Sequence, residues 1–357
     1  MKKLRIAVLM GGSSAEHEVS LRTGGEMLKS LDRARYDILP VVISKAGEWL
    51  LPASPDTVLS GQMVQEKVVS PVAAGALAIP ERQSIDILSR YADVALLALH
   101  GTHGEDGRMQ SLLDLAGMPY TGSGHRASAL GMHKVSSLKL FAAEGITVPR
   151  SLMLEKGEED GAGRIQAAFA GSRKVVVKPV SQGSSVGVSI VELVSPDADV
   201  KLAAALALVF SFDTEALAEE FVAGRELTAG VLEMDGQPQV LPITEIKPAA
   251  KYAFFDYEAK YTVGATEEIT PAAIPEELAR EVSRIALACH RILGCKGYSR
   301  TDMIVEERTG RIYVLELNTL PGMTATSLLP QQARAVGIEF PELLAMIIDA
   351  ALEHRNF

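Results

Sequence analysis

The first apolar run, residues 4–10, is interrupted only by Arg5 and stops at Gly11-Gly12, which predicts a buried parallel strand entering a turn. Val19, Thr23, Met27 and Leu31 then recur at helical spacing and predict a helix with one buried face. A second buried run, 94–99, gives way to a loop rich in glycine, histidine and acid, followed by a helix through Leu112, Leu113 and Leu115. This alternation predicts a doubly wound parallel-sheet α/β domain, whose ligands sit at the carboxyl ends of its strands. Residues 44–91 carry short apolar pieces cut by proline and glycine, and read as an elaboration of that domain.

A helix over 134–143 should end at Gly145, with Val148-Pro149 as an extended link. Residues 174–178 and 186–191 flank a Gly/Ser tip and predict a hairpin. Strands are expected at 216–222, 227–234 and 240–246, the last two joined by a turn at Asp235-Gly236. The long irregular stretch 247–270 carries aromatics, lysines and acids, a composition that fits either a lid or a surface loop. A helix begins after Pro275 and runs through Leu278, Val282, Ile285 and Cys289. Strands at 302–306, opened by Asp302, and at 312–317 flank a turn, and helices near 328–335 and 342–352 close the chain.

Composition narrows the function. With 357 residues, 47% of them hydrophobic and 22% charged, the chain can bury cores for two or three domains. A net charge of −10 argues against nucleic acid, which needs a basic face. The apolar start is too short for a signal peptide, and no stretch reaches the roughly 20 apolar residues of a membrane span. Two cysteines, Cys289 and Cys295, make no disulfide framework and fit a reducing compartment, so a soluble cytoplasmic protein is expected.

Five constellations carry candidate chemistry. Asp302, Glu316 and Asn318 offer two carboxylates and an amide oxygen from paired strands, a hard oxygen set suited to Mg²⁺ bridged by phosphates, with Arg300 two residues before the Asp. Lys178 precedes the loop Gln182-Gly183-Ser184-Ser185, which can fold N–H groups and hydroxyls over phosphates without matching the P-loop pattern. Glu219, the backbone at Phe221-Val222 and Glu226 could read a purine and a ribose. The loops 11–20 and 100–107, each after a buried strand, could hold a small zwitterion; His100 and His103 lack further zinc ligands, and His103 reads as a structural hydrogen-bonder. The fifth is Phe255–Tyr261 in the candidate lid. Taken singly, most of these segments also read as ordinary turns or solvated edges. Cys289-His290 reads as helix packing.

In order, the segments resemble the D-alanine–D-alanine ligases, a family of ATP-grasp enzymes. The matching pieces are Ser-Ala-Glu-His-Glu-Val-Ser (14–20), His-Gly-x-x-Gly-Glu-Asp-Gly (100–107) and Pro-Tyr-Thr-Gly-Ser-Gly (119–124). They continue with Lys134, Gly-Ser-Ser-Val-Gly (183–187), Asp-Tyr-Glu-Ala-Lys-Tyr (256–261) and Glu-Leu-Asn-Thr-x-Pro-Gly-Met-Thr (316–324). The resemblance spans the chain apart from 44–91; Gln182 and Leu320 stand where relatives vary. It implies a substrate-binding domain over 1–130, then a two-part ATP-grasp fold of a small domain, 131–223, and a catalytic domain, 224–357, with its lid at 247–270. It implies that Lys134, Lys178, Ser185 and Lys260 hold ATP phosphates, while Glu219, Val222 and Glu226 line the adenosine pocket. Glu16 would anchor the first D-alanine's ammonium and Ser327 the second one's carboxylate. Ser184 and Tyr261 would complete a hydrogen-bonded set with Glu16, and Arg300 and the Gly322 N–H would stabilise developing negative charge. Asp302, Glu316 and Asn318 would hold Mg²⁺ (or Mn²⁺), and the resemblance leaves room for a monovalent cation. The implied reaction is ATP-dependent joining of two D-alanines for peptidoglycan precursor synthesis, in a homodimer. Another ATP-grasp carboxylate–amine ligase, or a D-alanine–D-lactate ligase, is the alternative.

Overall fold

The computed structural model describes residues 3–51, 77–79, 81–248 and 266–353. The chain opens with β1 (Leu4–Gly11), α1 (His17–Ser30), β2 (Tyr36–Ile43), β3 (Trp49–Leu51), β4 (Leu77–Ile79), α2 (Glu81–Tyr91), β5 (Val94–Leu97) and α3 (Arg108–Leu115). Its sheet has the order β4-β3-β2-β1-β5. β1 pairs in parallel with both β2 and β5, and β3 and β4 extend the sheet antiparallel. Residues 6–10 of β1 are fully buried, as a central strand covered on both faces requires. The elaboration expected over 44–91 thus supplies, among its described residues, an edge to this sheet, anchored by the fully buried Trp49.

Two helices, α4 (His125–Met132) and α5 (Lys134–Ala143), lead into β6 (Ser151–Glu155), α6 (Gly161–Ala168), β7 (Lys174–Pro179), β8 (Ser189–Glu192), α7 (Ala198–Val209) and β9 (Glu215–Glu220). The second sheet is antiparallel, in the order β6-β9-β7-β8. Val175, Val177, Ala216, Ala218 and Val191 pack on α6 and α7, while the alternate residues Val176, Lys178 and Glu219 face a cleft.

The remainder comprises β10 (Gly224–Met234), β11 (Gln237–Val240), β12 (Thr244–Pro248), β13 (Thr266–Ile269), α8 (Glu276–Leu293), β14 (Tyr298–Glu306), β15 (Ile312–Asn318), α9 (Leu328–Arg334) and α10 (Phe340–Glu353). The third sheet runs β13-β12-β10-β14-β15, with β11 on β10. Here the sequence expectations need adjustment. The strand expected at 240–246 is two strands, because Pro242 has no N–H to give a ladder. Both ends of the stretch expected to be irregular over 247–270 are paired strands, Lys247 opposite Glu267. Asp302 lies inside β14, which begins at Tyr298, and does not open it.

One face of this sheet, including Leu227, Ala229, Met303, Val305 and Val314, packs on α5 and α8. The loop 319–327 belongs to another core. Its Leu320 and Met323 are buried with the first sheet and α10.

Candidate active site

Two chambers lie between these sheets and share four residues: Gly183, Ser184, Arg300 and Glu316. The first is roofed by the β7–β8 hairpin and floored by β10, β14 and β15. Of the residues singled out in the sequence, it brings together Lys134, Lys178, Ser184, Ser185, Glu219, Val222 and Glu226 with Arg300, Asp302 and Glu316. The second is lined by Glu16, Ser184, Arg300, Glu316, Asn318, Gly322 and Ser327. Lys260 and Tyr261, with most of the expected lid, lie outside the described residues.

The floor is set by strand register. Arg300 pairs with Asn318 and Asp302 with Glu316, so alternation points all four side chains to one face. A bulge then slips the register, so that Met303 meets Val314 and Leu315 is the extra residue. Leu315 therefore joins Glu316 in lining the chamber, while Val314 returns to the core.

Asp302 is saturated with donors. Arg300 Nε donates to Oδ1 at 2.9 Å and its Nη2 to Oδ2 at 2.8 Å. Thr228 Oγ1, opposite on β10, donates to Oδ1 at 2.5 Å, and Asn318 Nδ2 to Oδ2 at 3.1 Å. A carboxylate has about four lone-pair sites, and these donors fill them. Burial works to lower the Arg300 pKa, but the charge and hydrogen bonds of Asp302, with Glu316 behind, more than offset it and raise it. A half-turn of the Asn318 amide would remove one donor from Asp302 Oδ2 and present Asn318 Oδ1 in its place. The three residues then offer only oxygen, so the donor set fits a hard divalent cation. Among the described residues no cluster of three His, Cys, Asp or Glu offers an alternative.

Lysines enter from two directions. Lys134, at the start of α5, donates to Gln182 O at 2.6 Å and lies 3.5 Å from Glu316 Oε2. His133 caps this helix by accepting from Ser136 N–H at 3.2 Å. Lys178 stands 2.5 Å from Glu219 Oε2; both are buried, with 8% and 2% exposed. Glu219 Oε1 is also buried and has no hydrogen-bond partner among the described residues. An orphaned buried acceptor on a chamber wall calls for a donor, such as an exocyclic amine, from whatever fills the chamber.

In the second chamber Glu16, 7% exposed, accepts from the Ser184 hydroxyl. A Cβ at Gly101, itself at a φ of 70°, would come within 2.8 Å of Glu16 Oε2 and displace the carboxylate, and one at Gly183 would crowd it at 3.1 Å. Ser14 supports the turn by donating to His100 O at 2.7 Å and accepting from Glu16 N–H at 3.2 Å. His103 adopts a positive φ of 75°, and its N–H donates to Asp106 at 2.8 Å. On the far wall, Ser327 Oγ accepts from Thr324 N–H at 3.0 Å.

Sequence reasoning gave no role to three residues at this site. His100 bridges Thr23 Oγ1 at 2.9 Å and Glu105 at 3.3 Å, and both His100 and Glu105 face the second chamber. Their motif was visible, but their orientation was not. Thr228 is an ordinary strand residue in sequence; only its register opposite Asp302 reveals it.

A cleft under a Gly/Ser hairpin, opening at one end onto a second, polar chamber, is the arrangement of an ATP-grasp fold. Family models for the N-terminus and the C-terminus of D-ala D-ala ligase match residues 5–123 and 140–349. The chain is 41% identical to the D-alanine–D-alanine ligase of Leptospira biflexa, covering 99% of this chain and 100% of that one. It is also 41% identical to the one from Geobacter sulfurreducens, with 98% and 95% covered. Among solved structures it resembles VanG D-Ala:D-Ser ligase from Enterococcus faecalis, with a TM-score of 0.80, 31% identity and 98% and 100% coverage. The Bacillus anthracis D-alanine–D-alanine ligase complexed with ATP gives a TM-score of 0.74 and 35% identity, with 99% and 98% covered. The chain belongs to the D-alanine–D-alanine ligase family.

Proposed function

We propose that this chain joins two D-alanines into D-alanyl-D-alanine through an acyl phosphate, with ATP in the first chamber and both amino acids in the second. The observation that carries this reading is the seam of Gly183, Ser184, Arg300 and Glu316 common to both chambers. A phosphoryl group leaving one chamber for the other must pass there.

Glu219 Oε1 would accept from the adenine amine, Val222 would flank the base, and Glu226 would accept from the ribose. Lys134, Lys178 and Ser185, joined by Lys260, would hold the phosphates. Asp302, Glu316 and Asn318 would hold Mg²⁺ (or Mn²⁺), which when bound neutralises charge gathered on the triphosphate. Glu16 would pair with the first D-alanine's ammonium, leaving its carboxylate towards the seam. That carboxylate oxygen attacks the γ-phosphorus, the bond to the β-phosphate oxygen breaks, and ADP leaves. The second D-alanine, its carboxylate on Ser327, would give up one ammonium proton to the hydrogen-bonded set of Ser184, Tyr261 and Glu16 and attack the acyl carbon, its second nitrogen proton passing to the departing phosphate. The acyl carbon–oxygen bond then breaks and phosphate leaves. Arg300 and the Gly322 N–H face the oxyanion of that step, where a preorganised donor is typically worth about 3–4 kcal/mol. Ser184 and Tyr261 would orient the set around Glu16, and the lid over 247–270 would exclude water from the acyl phosphate.

In this reading the chain is divided as the resemblance implies, works as a cytoplasmic homodimer, and supplies peptidoglycan precursor synthesis. No helix among the described residues is long and apolar enough to cross a membrane. Phosphate release from ATP across D- and L-amino acids tests the assignment: D-alanine should support turnover and L-alanine should not. Equal rates with both would refute it.

A further inference from the structure

We propose that Glu26 is a positioning residue for the acceptor D-alanine, and that α1 sets the spacing between the two amino-acid subsites. The inference rests on the reading of Ser327 as the anchor of the acceptor carboxylate. Four backbone groups of the loop carrying Gly322 and Ser327 are held by side chains. Arg334 Nη2 donates to Ala325 O at 2.8 Å, and Gln331 Nε2 to Thr326 O at 2.7 Å and to Glu268 at 2.6 Å. Ser327 Oγ takes the Thr324 N–H. These pins come from the loop's own sequence neighbours or, through Glu268, from β13.

The pin on Ala325 N–H is different. It is Glu26 Oε2, at 2.8 Å and 299 positions away, on the helix that begins beside the first sheet. An N–H held by a carboxylate is among the stronger protein hydrogen bonds. Leu320 and Met323 of the loop are buried in the core that also contains Met27 and Leu28 of α1. Glu26 therefore adds a directional bond to the shared core packing between α1 and this loop.

Glu16, the donor-substrate anchor, stands at the N-terminal boundary of α1, and both Glu16 and Glu26 line the second chamber. Ten residues of helix separate them by about 15 Å at 1.5 Å per residue. One rigid element thus holds the donor ammonium at its start and the acceptor loop nearer its end. Loosening the second attachment should displace Ser327 and Gly322 relative to the acyl phosphate while leaving ATP and the donor in place.

The experiment measures separate KM values for ATP, donor D-alanine and acceptor D-alanine in the full-length protein and in Glu26→Ala, Glu26→Asp and Glu26→Gln. Glu26→Ala should raise the acceptor KM about tenfold, the loss expected for one charge-assisted hydrogen bond, with the ATP and donor KM values within about twofold. Glu26→Asp keeps the charge but retracts it by a methylene and should behave like Glu26→Ala. Glu26→Gln keeps the reach and an acceptor oxygen and should restore most of the acceptor KM. An unchanged acceptor KM in both Glu26→Ala and Glu26→Asp, or equal rises in all three KM values, overturns the inference alone. Absence of D-alanine turnover by the unmutated protein overturns the underlying functional reading and this inference with it.

Discussion

The Ser184 hydroxyl donates to the Glu16 carboxylate, tying the tip of the β7–β8 hairpin to the start of α1 across 168 positions of chain. That bond closes the roof of the first chamber onto the second. Replacing Ser184 with Ala should remove a hydrogen bond to a charged group, worth about 1.5–3 kcal/mol. The expected result is a fall in kcat/KM for D-alanine of roughly 10- to 100-fold, with ATP affinity nearly unchanged. A matching loss of ATP affinity would show that Ser184 serves the nucleotide instead.

Glu316→Gln should lower turnover by at least about a hundredfold, because it removes an anionic oxygen from a seam residue on the floor that also faces Lys134. Titrating Mg²⁺ gives the check. Raised Mg²⁺ should recover part of the rate, whereas normal turnover at limiting Mg²⁺ would break the metal assignment.

Lys178 and Glu219 form a nearly dry pair, so removing one partner strands the other's charge. Lys178→Met should cost about 3–5 kcal/mol of unfolding free energy. Lys178→Met with Glu219→Leu should recover much of that stability while abolishing ATP binding. Denaturant midpoints with and without ATP measure both. A loss below about 1 kcal/mol in the single variant would show the pair to be solvated.

His290 gives the pH dependence. It is buried in α8 against Ser299 at 2.8 Å, and burial pushes its pKa from 6.5 down to about 4. The unfolded chain therefore binds the proton first, so stability is full above pH 6.5 and falls as pH drops towards 4. The contribution should be about 2 kcal/mol lower at pH 5 than at pH 8. Comparing unmutated protein with His290→Gln at both pH values isolates it; a difference that does not change with pH would contradict the burial argument.

Much of this site was legible because its residues lie at strand ends with punctuated loops. The pairing of Glu316 and Asn318 on one face follows from their spacing of two, and the Asp235-Gly236 turn from residues that tolerate positive φ, observed at 53° and 69°. What escaped depends on register. Nothing local marks the Leu315 bulge, the start of β14 at Tyr298, or Thr228 as a partner of Asp302, because each is set by which residue of another strand lies opposite. Pro242 did carry a signal, a missing N–H inside a presumed strand, and it is where the strand breaks. Glu26 is an unremarkable helix residue until the loop nearly 300 positions away is placed against it.

Two chambers acting in sequence would make one peptide bond between two D-alanines for each ATP consumed. The most direct measurement is product identification by mass and chirality after incubation with D-alanine, ATP and Mg²⁺, alongside counts of ADP and phosphate. One D-alanyl-D-alanine is expected for each ADP and each phosphate, with no dipeptide from L-alanine and little ester when D-lactate competes at neutral pH. ATP hydrolysis without dipeptide, or a dominant D-alanyl-D-lactate product at neutral pH, would contradict this reading.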